Sequence, residues 1–144
     1  MKRVTILFWL TIAFGFAVAP IVAIEVETAK GARFASAVSH WIGHLFEPGY
    51  NEFLLALMAA LPFLVAAVFI RFHLGGEQIP RGRWAGVVGA LGTGAALSLW
   101  GLIGIRMSRS STAAIGYIFL PIEVLFVMPI GYIAGRLIAK LRSS

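Results

Sequence analysis

The chain has 144 residues, of which 60% are hydrophobic and 12% charged, with a mean hydropathy of +0.91 and a formal charge of +6. Apolar content this high, gathered into blocks, excludes an ordinary water-soluble domain. The absence of cysteine excludes disulfides, thiolate metal sites and a cysteine nucleophile.

Four blocks, at 4–24, 53–70, 84–105 and 112–135, are long enough to cross a bilayer, because each residue of helix rises about 1.5 Å and the hydrocarbon layer is ~30 Å thick. The first follows Lys2 and Arg3, as a signal peptide would, and Ala17-Val18-Ala19 resembles a small-residue cleavage site. Pro20 would stand directly after that cut and block it, so a retained span is the favoured expectation.

The only long connection, 25–52, contains GARFASAVSHWIGHLFEPG. Phe34, Val38, Trp41, Ile42 and Leu45 fall on one arc of a helix, and Arg33, His40, His44 and Glu47 on the other. That predicts an amphipathic interfacial helix over about 32–47. His40, His44 and Glu47 are spaced i, i+4, i+7, which makes them a weak metal-ligand candidate. The same pattern is that of a solvated helix face, which is the preferred reading, and no metal or other cofactor is expected. Pro48-Gly49 predicts a turn and Asn51 an N-cap for the second span.

The loop RFHLGGEQIPRGR has turn chemistry in Gly75-Gly76 and Pro80, and His73 beside Arg71 is placed among headgroups. The third span carries small residues at i+4 along Gly86, Ala90, Gly94 and Ser98, with a second, interrupted ridge through Gly89 and Gly101. Such ridges let helix backbones approach closely, and Gly131-x-x-x-Gly135 repeats the signal in the fourth span. They serve either as intramolecular contacts, the preferred reading, or as dimerisation faces. Ser110 or Ser111 would cap the fourth span.

Within the four blocks the sole formal charge is Glu123, in FLPIEVLFVMPIGY. On a helical wheel it shares an arc with Thr112, Gly116, Leu120, Val127 and Ala134, and Gly131 lies at the edge. This predicts that it packs against neighbouring helices. With no cation at its depth, the expectation is an uncharged carboxyl donating a hydrogen bond to Thr93, Ser98 or Thr11, or to a carbonyl freed by Pro121 or Pro129. Two roles remain open, a proton or ion site and a structural hydrogen-bond site.

A short echo, Leu61-Pro62-Phe63-Leu64-Val65 against Leu120-Pro121-Ile122-Glu123-Val124, raises an internal duplication, with chance coincidence preferred. Lysine and arginine cluster at span ends: eight (Lys2, Arg3, Arg71, Arg81, Arg83, Arg136, Lys140, Arg142) on one side and four (Lys30, Arg33, Arg106, Arg109) on the other. The positive-inside rule then puts both termini in the cytoplasm. The scattered cations give no continuous nucleic-acid patch. No phosphate loop, nucleophile elbow or pair of haem-ligating histidines occurs.

The expected architecture is an all-α membrane protein, a single domain over 1–144 with four transmembrane helices in an antiparallel bundle and an interfacial helix between spans one and two. Its expected place is a bacterial inner membrane or a plasma membrane. Its expected partners are the lipid bilayer and a second copy or another membrane protein, with no nucleic acid. The expected function is that of a non-enzymatic accessory, assembly or immunity-type factor acting through helix packing. The alternative is a small proton-linked transporter or channel titrating at Glu123.

Overall fold

The structure is a computed structural model that describes residues 2–48, 51–75, 79–108 and 113–142. Arg109, Ser110, Ser111, Thr112, and one residue each of the Pro48-Gly49 and Gly75-Gly76 pairs lie outside the described residues. Five helices and no strand occur among those described: α1 (Lys2–Ala29), α2 (Phe34–Gly43), α3 (Glu52–His73), α4 (Arg81–Met107) and α5 (Ala113–Leu141). Four of them, all but α2, are long and apolar enough to cross a membrane.

These helices outrun the apolar blocks that mark them. α1 runs unbroken through Pro20 to Ala29, past the block that ends at 24, and α5 continues past 135 to Leu141. Charged residues are good helix formers and prolong a helix beyond its apolar stretch, so hydropathy underestimates helix length. α2 does the reverse, ending at Gly43 where 47 is expected. His44 and Leu45 turn their carbonyls to the amides of Glu52 and Phe53, both at 3.1 Å, so the chain folds back into α3 instead of prolonging α2. Asn51 caps α3, its side chain accepting from the Leu54 amide at 2.9 Å.

Packing begins with two antiparallel pairs. In the first, a Cβ built on Gly15 of α1 would lie 2.8 Å from the Phe63 Cβ and 3.3 Å from the Ala60 Cα of α3. In the second, Gly86 meets Tyr132 and Arg136, Gly89 meets Gly131 and Gly135, Gly94 meets Met128, and Gly101 meets Leu120. Rising numbers on α4 against falling numbers on α5 define the antiparallel sense. Gly89 and Gly131 are so close that a methyl group on either would overlap the other's carbonyl.

The pairs join around two apolar clusters. Val18, Val22, Val26, Ala59 and Phe63 of the first pair pack with Leu102, Leu120, Val124 and Met128 of the second. Val4, Ile70, Leu74 and Val87 form a smaller cluster with Trp84 and Tyr132 packed against it. This second cluster brings together the start of α1, the end of α3, the start of α4 and the end of α5. Both termini therefore emerge at one end of the bundle, termed here the terminal end, and α2 lies at the other.

The echoed prolines share a depth. Pro62 of α3 and Pro121 of α5 are both buried and line one small void with Ser98, Leu102 and Val124. α3 and α5 run in the same direction through that point, as the second and fourth spans of any up-and-down bundle do.

The outer surface of the long helices is apolar. Trp9, Phe72, Trp100, Phe126 and Ile130 are each more than half exposed, at 62%, 82%, 76%, 73% and 66%. A bundle with its large apolar side chains turned outward along the helix shafts is consistent with an integral membrane protein.

Candidate functional site

The buried stripe of α5 is set by Leu120, Val124, Met128 and Gly131. Glu123 precedes Val124 by one position, or about 100° of helix, and is thereby turned off the stripe. It is exposed. The expectation that it packs against neighbouring helices within the chain is corrected accordingly. The arc of small residues through Gly116 and Ala134 is not centred on the contact, because α4 docks against the larger Leu120–Met128 row.

Its expected partners are turned elsewhere. The Thr11 hydroxyl donates to the Leu7 carbonyl at 2.8 Å, within α1. Thr93 donates to the carbonyls of Gly89 and Ala90 at 3.0 and 3.1 Å, within α4, while its side chain rests against Gly131. Ser98 is buried at the void between Pro62 and Pro121. Threonine and serine in apolar helices bond readily to the carbonyl one turn back, which satisfies the hydroxyl without a distant partner. What surrounds Glu123 is apolar and exposed. Phe119, Glu123, Phe126 and Ile130 follow i, i+4, i+7, i+11 spacing along one outer stripe, with the three apolar members 55%, 73% and 66% exposed.

The helix that presents this stripe is held rigidly from behind. Gly86, Gly89, Gly94 and Gly101 of α4 face α5, and Gly131 and Gly135 face back at them. Ala90 packs, half-buried, against the larger core cluster. At the terminal end His73 of α3 lies 2.6 Å from the Tyr132 hydroxyl, and the Arg136 guanidinium stands 5.9 Å from the centre of the Tyr132 ring.

Sequence reasoning missed a second polar pair altogether. Arg106, near the end of α4, donates from Nη2 to Glu52 at the start of α3 over 2.6 Å. The two side chains are only 9% and 4% exposed, and the Arg106 guanidinium lies 5.9 Å from the Tyr117 ring centre. Glu52 closes the long first connection and Arg106 follows the third apolar block. They are 54 positions apart, and no spacing signal links residues at that separation.

His40, His44 and Glu47 do approach one another. His44 Nδ1 contacts the Glu47 carboxylate, and His44 Nε2 lies 3.0 Å from His40 Nε2. The central histidine thus spends its two nitrogens on its two neighbours in a chain, which is not a convergent ligand set. Among the described residues no group of three such side chains is arranged to hold a metal ion.

No family model matches the chain, and neither a curated protein nor a solved structure does.

Proposed function

We propose that the chain is a non-enzymatic integral membrane protein acting by lateral helix packing, as an accessory, assembly or immunity-type factor, with the outer stripe of α5 as its docking face. The exposed acid carries this reading. A carboxyl group turned toward hydrocarbon near the middle of a span costs about 3 kcal/mol, a penalty that a partner helix offering a cation or hydroxyl at the same depth relieves. The apolar blocks of this chain hold no lysine, arginine or histidine. A second copy would bring no cation, and its Thr11 and Thr93 hydroxyls already donate within their own helices, so the complementary occupant is a different protein. Phe119, Phe126 and Ile130 supply the apolar flank that such a helix would cover. The excess of lysine and arginine at the terminal end supports an orientation with both termini in the cytoplasm of an inner or plasma membrane. On the opposite side α2, with Phe34 and Ile42 67% and 55% exposed, would lie along the outer interface.

Photo-crosslinking in native membranes tests this. A crosslinker at Phe126 or Phe119 should yield a discrete adduct that Glu123→Leu weakens, whereas one at the exposed Trp100 of α4 should not. Should the purified chain instead conduct protons in liposomes, with Glu123→Gln abolishing the flux and no adduct formed, the transporter alternative replaces this reading.

A further inference from the structure

Where α4 begins and α5 ends, the close crossing at Gly89, Gly131 and Gly135 leaves a cavity of about 1000 Å³ beside it. Its wall has two distinct parts. Arg81, Arg136, Lys140 and Arg142 supply its cations, while Val88, Ile133 and Leu137 supply an apolar side, with Val88 and Ile133 deeper along the helices than the cations. Among the described residues, no acidic one lines it. Arg136 and Lys140 stand one turn apart on α5, and Ile133 and Leu137 do the same on an adjoining row, so cationic and apolar rows run side by side.

One wall is braced. Tyr132 also lines the cavity, fixed at its hydroxyl by His73 of α3 and stacked near Arg136. Cations that serve topology alone fan out into solvent; four that border one concavity continuous with an apolar trough are arranged differently. A free phosphate would use only the charged end. A lipid with an anionic headgroup uses both ends, its phosphate among the guanidinium and ammonium groups and an acyl chain along Val88, Ile133 and Leu137.

We propose that this groove binds one anionic phospholipid, held by Arg81, Arg136, Lys140 and Arg142 at the headgroup and by the Val88–Ile133–Leu137 trough at the chain. The inference rests on the membrane placement but not on docking at Glu123, which lies on a different part of α5. A lipid seated here would fasten α4 to the end of α5 and reinforce the Tyr132 contact with α3.

Native mass spectrometry of the purified chain in detergent, titrated with phosphatidylglycerol or phosphatidylcholine, provides the test. Phosphatidylglycerol should bind with one saturable site and phosphatidylcholine much more weakly. Removing two headgroup cations in the double variant R136Q/K140Q should lower phosphatidylglycerol affinity roughly thirtyfold, at about fivefold per cation. Arg71→Gln, which removes a cation at the same end but outside the groove, should leave affinity within a factor of two or so by the same reasoning. Val88→Trp, at an exposed position, should fill the trough and block binding without altering charge. Equal binding of both lipids overturns the proposal, as does an Arg71→Gln loss matching that of the double variant. Inorganic phosphate competing as well as the lipid would also overturn it, since the trough would then play no part. If R136Q/K140Q does not fold, Val88→Trp decides alone: undiminished binding in that variant refutes the site.

Discussion

Glu52 and Arg106 illustrate how much a single residue pair can hold. Charges this deeply buried recover their desolvation cost only through each other, so removing one leaves the other stranded. Glu52→Gln or Arg106→Met alone should destabilise the protein by about 3–5 kcal/mol, read as a fall in thermal unfolding midpoint in detergent. Joint replacement by Glu52→Leu and Arg106→Met should restore most of that loss, because an apolar pair of similar volume needs no countercharge. If the double variant proves as unstable as the singles, the pair is not the determinant. At this scale the sequence was legible in kind but not in direction. That Glu123 is an acid near the middle of an apolar helix follows from composition. Which way it faces depends on where α4 docks, and the small residues around Gly116 pointed to the wrong arc.

Among elements, the α4–α5 seam is the tightest contact. Its glycines were visible as an i+4 rhythm, yet rhythm does not name the helix on the other side. The structure assigns that partner as α5, through Gly131 and Gly135. Gly89→Ile should force the two helices apart and lower stability by at least about 1–3 kcal/mol, the usual cost of overpacking, because the neighbouring atoms are backbone and cannot rotate away. Gly92 and Gly104 have nothing within 4 Å of a built Cβ. Gly92→Ala and Gly104→Ala should therefore be neutral or stabilise by a few tenths of a kcal/mol, up to ~1, through helix propensity alone. Unfolding midpoints of the three variants separate a contact from a propensity effect. α2 shows the limit of periodicity. Its amphipathic pattern continued to Glu47, but backbone bonds from His44 and Leu45 to α3 ended the helix earlier. Backbone pairing of this kind leaves no mark in side-chain spacing.

For the whole molecule, both termini at one end is a consequence of two hairpins that each start and finish there. The chain has no cysteine, so single introduced thiols report position without background. Arg3→Cys and Arg142→Cys should resist a membrane-impermeant maleimide in intact cells and label after lysis, and Ala35→Cys in α2 should label in intact cells. The reverse pattern would invert the proposed orientation. The four-span plan was legible because hydropathy is a property of segments, and helices this long need no partner to be recognised. How the spans associate was not, since that depends on a few glycines and on Pro62 meeting Pro121.

That meeting point divides the polypeptide into halves that touch mainly through side chains, joined by one link between Leu74 and Ile79. Segments 1–77 and 78–144, produced as separate chains in one cell, should find each other in the bilayer and co-purify as a stoichiometric complex, the buried Glu52–Arg106 bridge selecting the correct mate.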